Sequence, residues 1–170
     1  MNDKEENISA GSRTTVKRIS EREITAARSF DAPARIVFEA WANPELFARW
    51  WVPKSQGATL RSCEMDVRTG GSYRLEFGAD AENSVAFFGT YIDVVSPTRI
   101  VWTNDEGENG AISTVTFAEK DGRTLVTYSE VYPTSQALDA SLGGMEGAPE
   151  QFEQLAELLT TLGHPAYPKR

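Results

Sequence analysis

The chain has 170 residues, of which 40% are hydrophobic, and 13 glycines; this composition suits one domain that buries its own core. Its net charge of −8 argues against nucleic acid, whose binding relies on Lys and Arg neutralising phosphates, and against an anionic membrane surface. No apolar run approaches the ~18 residues that span a bilayer, and the polar, acidic N-terminus carries no secretory signal, so a cytoplasmic location is expected.

Residues 1–18 are polar, small and mixed in charge, and are read as a disordered arm. A single domain is expected over 19–164, followed by a tail at 165–170. A strand beginning near Ile19 to Arg22 runs to Phe30. Asp31-Ala32-Pro33-Ala34 then breaks the chain into a helix, with Pro33 in the first turn and Asp31 as an oxygen-bearing cap. Asn43-Pro44-Glu45 repeats that signal for a second short helix. Val37, Phe38 and Trp41 fall on one helical face, as do Phe47, Trp50 and Trp51.

After a loop at Val52 to Gly57, the period changes to two. Strands are expected over Ala58 to Val67, Ser72 to Phe77, Val85 to Val95, Arg99 to Thr103, Ser113 to Phe117 and Thr124 to Val131. Gly70-Gly71 and Asp121-Gly122 supply hairpin turns. Tyr73, Leu75 and Phe77 share one face; Val126, Tyr128 and Glu130 share another. Val85 to Val95 is apolar on both faces, so its inward side is not assigned; Gly89 within it marks a bulge or a close backbone approach. A short helix is expected over Thr134 to Leu142, interrupted by Gly143-Gly144. A longer one ends near Leu162, with Phe152, Leu155, Leu159 and Leu162 as its apolar stripe and Glu150, Glu153 and Glu157 off it. Pro149 either starts that helix or kinks it. The order predicts an α+β fold: a curved antiparallel meander whose concave face is covered by two short helices and the C-terminal one.

Phe30-Asp31-Ala32-Pro33, Val37-Phe38, Ala40-Trp41, Pro44-Glu45, Trp50-Trp51 with Pro53-Lys54, Cys63-Glu64-Met65-Asp66-Val67-Arg68 with Gly70-Gly71, Gly89 with Tyr91, and Gly144-Met145-Glu146 stand in one order. This set resembles the bacterial branch of the Hsp90-ATPase-activator-homologue-like domains, in the START-like, helix-grip superfamily with Bet v 1 allergens and polyketide cyclases. The resemblance covers roughly residues 20 to 163. It implies a sheet gripping the C-terminal helix, and a cavity between them that binds a small apolar molecule. Ala148-Pro149 and Val52 depart from the pattern, at positions expected near the cavity entrance.

The expected ligand-binding set is Trp50, Trp51, Phe77, Tyr91, Trp102, Tyr128, Glu130, Met145 and Phe152. Aromatics can line a pocket or simply fill a core. Trp41 is read as core, and the adjacent Trp50 and Trp51 cannot both face one way. Glu130 is read as exposed, its strand having ended; if the strand continues and turns it inward, it must be protonated, paired with Arg68 or Arg99, or open to solvent. Asp66 and Arg68 are read as a solvated face.

Cys63 is the sole cysteine and His164 the sole histidine. No disulfide framework, zinc site, cofactor or metal is therefore expected. His164 is read as a solvated residue near the tail. Three functions compete: a carrier or sensor of a small apolar molecule, which is preferred; a cyclase- or dehydratase-like catalyst using Glu130 and a tyrosine; and a chaperone-interaction module. Neither nucleic acid nor membrane is an expected partner, and a homodimer is admitted.

Overall fold

The computed structural model describes residues 14–57, 59–78, 80, 82–107, 110–141 and 145–162. The arm before Thr14, Gly143-Gly144 and His164 with the tail lie outside these residues. Eight strands form one antiparallel sheet: β1 (Thr15–Arg18), β2 (Glu23–Phe30), β3 (Thr59–Met65), β4 (Ser72–Gly78), β5 (Ser84–Val95), β6 (Arg99–Thr103), β7 (Ile112–Lys120) and β8 (Arg123–Val131). Their spatial order is β1-β2-β8-β7-β6-β5-β4-β3. Thus β3 to β8 meander by hairpins, and the chain returns to lay β8 beside β2. Helices α1 (Ala34–Ala42) and α2 (Pro44–Phe47) connect β2 to the far edge; α3 (Ser135–Ala140) and α4 (Ala148–Thr161) follow the last strand. This is the α+β arrangement that the order of elements predicts, with the C-terminal helix gripped by the sheet as the resemblance implies.

The arm expected to be disordered through residue 18 differs in its last part. Thr15–Arg18 is a strand, paired antiparallel with Arg18 opposite Ile24 and Thr15 opposite Ala27. All four of its residues are exposed. Its order rests on backbone hydrogen bonds along the edge of β2, so no apolar period announces it.

Helix α1 is also capped differently from the expectation. Asp31 is exposed and faces Arg123, 3.3 Å away. Pro33 occupies the cap position, and the Ala34 N–H donates instead to Glu119 Oε1 at 2.8 Å. A carboxylate from the end of β7 therefore satisfies the first turn and suits its positive end. The second helix starts as expected: Asn43 Oδ1 accepts from the N–H groups of Glu45 and Leu46 at 2.9 and 3.4 Å. Pro149 begins α4 rather than kinking it, since it stands in the first turn where its missing N–H is no loss.

The tight turn between β7 and β8 has Asp121 and Gly122 at φ 56° and 80°, the left-handed pair that a two-residue hairpin needs. Gly89 marks a close approach: a Cβ there would lie 2.1 Å from the Thr103 carbonyl oxygen. The densest core lies where α1 and α4 meet β2, β8 and β7. Val37, Trp50, Val115, Val126, Phe152 and Leu155 are fully buried there, and Phe30 meets Phe152 edge to face at 5.8 Å.

Candidate functional site

Directly opposed residues build one row across the sheet: Glu130 on β8 faces Ser113 on β7, Ser113 faces Trp102 on β6, and Trp102 faces Tyr91 on β5. Period-two alternation puts all four on one side. Beside this row lies a cavity of about 750 Å³. Its floor includes Tyr73, Leu75 and Phe77 of β4, Phe87 of β5 and Ile100 of β6. Trp41, Phe47 and Trp51 close one side, and Val52, Pro53, Gln56, Gly147 and Gln151 border it. Gln56, Phe87, Glu106 and Gly107 are wall residues that are also solvent-exposed, which marks where the cavity opens.

Of the expected ligand-binding residues, Trp51, Phe77, Tyr91, Trp102, Tyr128 and Glu130 stand on this wall. Trp50, Met145 and Phe152 do not: they are buried at 0%, 2% and 0% exposure in the core behind it. The two adjacent tryptophans divide as their neighbouring positions require. Trp50 Nε1 donates to the Ala40 carbonyl at 3.0 Å, whereas Trp51 stacks on Phe47 at 4.7 Å and reaches the cavity. Trp41 belongs to both regions. Its ring contacts Phe47, Trp50, Trp51, Trp102, Phe117, Tyr128 and Phe152, and its buried indole N–H lacks a hydrogen-bond partner.

A polar belt crosses the aromatic wall. The Tyr73 hydroxyl donates to the Thr103 carbonyl at 2.7 Å, with Asn104 Oδ1 at 3.2 Å. Asn104 Nδ2 donates to the Ala111 carbonyl and to Ser113 Oγ, at 2.7 and 3.0 Å. Glu130 accepts from two phenols, Tyr128 at 2.5 Å and Tyr132 at 2.7 Å, one on each carboxylate oxygen. Neither arginine expected as a partner pairs with it: Arg68 faces Asp66 and Arg99 faces Asp93. That contact draws Asp66 and Arg68 together on the exposed surface.

Burial is the main cause that raises the tyrosine hydroxyls here. It pushes Tyr128 well above its ordinary range, with the Glu130 charge adding to the rise and Ser113 opposing it. Tyr73, Tyr91 and Tyr132 move the same way, for burial first. All four are therefore protonated donors at neutral pH. Partial desolvation, with Asp105 nearby, also raises the Glu106 carboxyl at the opening, against backbone hydrogen bonds that lower it. Among the described residues, no group of three His, Cys, Asp or Glu side chains could hold a metal.

Sequence reasoning missed the polar residues that fix the wall. Gln154, 7% exposed, donates to the carbonyls of Trp50 and Val52 at 2.9 and 3.0 Å and accepts from the Lys54 N–H at 2.9 Å. Gln151 donates to the Trp51 carbonyl at 2.6 Å. Glu150 accepts from the Ser55 N–H and hydroxyl at 3.0 and 2.5 Å, and these bonds hold its carboxyl below the usual range. One face of α4 thus clasps the loop after the tryptophans. The only signal in the sequence was a pair of glutamines beside an apolar stripe.

The fold is shared with several solved structures. A crystal structure of a Rhodobacter sphaeroides protein matches with a TM-score of 0.78 at 19% identity, over 88% of this chain and 99% of that one. A Nitrosomonas europaea protein matches at 0.74 and 22%, over 86% and 99%. A Mycobacterium smegmatis protein matches at 0.75 and 25%, over 86% and 96%. Among curated proteins there is no match to this sequence. The family model described as "Activator of Hsp90 ATPase homolog 1-like protein" matches residues 31–160, which include α1 to α3, β3 to β8 and nearly all of α4. By that match the chain belongs to the Activator of Hsp90 ATPase homolog 1-like family.

Proposed function

We propose that this protein binds a small, largely apolar molecule in the cavity between sheet and helices, as a carrier or sensor. The observation that carries the reading is the cavity itself: about 750 Å³, walled mainly by aromatic and aliphatic side chains and crossed by a short polar belt. Volumes of roughly 300–1,000 Å³ with few, placed polar groups are usual for small-molecule sites. The Gln151 and Gln154 clasps support it further, because they fix the Trp51 wall through the chain's own hydrogen bonds.

The neutral fluorescent probe N-phenyl-1-naphthylamine tests the reading. Saturable, one-to-one binding is expected, and Leu75→Phe, which fills the floor, should weaken it by about tenfold, the equivalent of ~1.4 kcal/mol. Absence of saturable binding, or binding that ignores the filled floor, sinks the proposal.

A second reading, acid–base chemistry on the bound molecule, draws on one observation: Glu130 sits between the Tyr128 and Tyr132 hydroxyls on the cavity wall. A carboxylate flanked by protonated phenols can take a proton at one atom while a phenol donates at another. If that is its work, Glu130→Gln lowers turnover ~10²–10⁴-fold; in a binder it changes selectivity only.

A further inference from the structure

The cavity wall is one-sided in charge. Among its described residues the carboxylates are Glu106 and Glu130, and no lysine, arginine or histidine joins them. Two arginines near these strands are engaged elsewhere: Arg74 on β4 lies 2.7 Å from Glu76, and Arg68, beyond the end of β3, 2.9 Å from Asp66. Arg99 is held by Asp93. Glu130 receives two phenol hydrogens but, among the described residues, no cation.

Two neutral donors leave each carboxylate oxygen with a further lone-pair site. A charge in a mostly apolar wall carries a desolvation penalty that neutral hydrogen bonds offset in part and a paired cation offsets further. The rings nearby suit a cation as well. Trp102 stacks on Tyr128, centroids 5.9 Å apart at 15°, and Trp51 meets the same tyrosine at 6.1 Å and 68°. A cation within about 6 Å of such a ring is drawn by its quadrupole, most strongly by tryptophan.

We infer that the cavity selects molecules with an apolar body and a protonated amine, the ammonium seated against the Glu130 carboxylate beside Trp51, Trp102 and Tyr128. This rests on the cavity-binding reading above and narrows its ligand class. An anionic head group, such as that of a fatty acid, meets two carboxylates and no compensating cation.

Three matched probes on one naphthalene body test the inference by calorimetry with the full chain at neutral pH: 2-naphthylmethylamine, 2-naphthalenemethanol and 2-naphthylacetate. The amine should bind about tenfold or more tighter than the alcohol, and the carboxylate more weakly than the alcohol. Glu130→Gln keeps the side chain's shape and removes its charge. It should bring the amine-to-alcohol ratio to about one. If that variant does not fold, the wild-type series still decides. An alcohol that binds as well as the amine, or a Glu130→Gln chain that keeps the full preference, overturns the inference and leaves the cavity-binding reading intact. If none of the three binds or displaces N-phenyl-1-naphthylamine, both fall together.

Discussion

The two halves of the sheet carry similar side chains inward and end differently. Under β2, β8 and β7 the inward residues Ala26, Phe30, Val115 and Val126 are sealed by α1 and α4. Under β4, β5 and β6 the inward residues Phe77, Phe87 and Trp102 face open volume. Alternation alone does not separate these outcomes, since both halves obey it. Dimensions do. Eight strands at about 4.8 Å spacing span roughly 34 Å, whereas a helix with its side chains is about 10–12 Å across. Helix α4 packs on β1, β2 and α1, so a 14-residue helix leaves the far strands without a lid. The cavity is the part of a wide concave face that one helix is too narrow to cover.

The largest test of this contrast is a truncation on each side. Phe152→Ala or Leu155→Ala removes a side chain at 0% exposure beneath α4 and should cost ~2–5 kcal/mol in urea unfolding. Phe77→Ala, at the half-buried cavity wall, loses fewer packing partners and should cost less than about 1.5 kcal/mol. Equal losses would mean that the cavity half is packed as tightly as the other. Glu157→Ala, on the exposed face of α4, serves as the control and should stay within about 0.5 kcal/mol.

The next test is the hinge between the halves. Gln154 bonds three backbone groups of the loop that carries Trp51 to the cavity. Gln154→Ala leaves two carbonyls and one N–H to find other partners, and should cost ~1–3 kcal/mol. It should also speed hydrogen exchange at Lys54 while leaving β8 unchanged. Exchange that rises everywhere, or nowhere, would show that the clasp does not hold this wall separately.

What the sequence made legible follows the same division. Local signals were readable: the Asn43-Pro44 start of α2, the Asp121-Gly122 turn and the inward phase of Tyr73, Leu75 and Phe77. The end of β8 was not, since Glu130, read as exposed beyond the strand, continues it. Contacts made at long range were not. The cap of α1 comes from Glu119, 85 residues away, so nothing near Asp31 announced it. The clasp spans Trp50 to Gln154, and β1 has no apolar pattern because its order comes from a neighbour's backbone. The inward face of β5 was not readable either, since that strand is apolar on both faces; Phe87 and Tyr91 turn to the cavity. Trp50, Met145 and Phe152 were grouped with the cavity because apolar type and phase match on both sides of a wall. Which side of it a ring occupies depends on the helix position.

The smallest effect concerns the outer seam, where β3 is closed by α2. Cys63 is half-buried there, its Sγ 3.6 Å from the Pro44 carbonyl oxygen and 3.4 Å from Met65 Sδ. Burial pushes its thiol from 9.0 up to about 11. At pH 8 that shift cuts the thiolate fraction about a hundredfold, and the greater nucleophilicity of a more basic thiolate returns roughly tenfold, so labelling should be about tenfold slower than in urea-unfolded chain. The sign for stability follows from the same shift. The folded state keeps its proton at higher pH than the unfolded state, so folding is unaffected well below pH 9, weakens as pH rises between 9.0 and about 11, and levels off above. Labelling rates measured from pH 7 to 11 should level off near 9 for the unfolded chain and keep climbing for the folded one. A folded chain that reacts as fast as the unfolded one at pH 8 would place the seam open, and the far half of the sheet would then be uncovered at its edge as well as at its cavity.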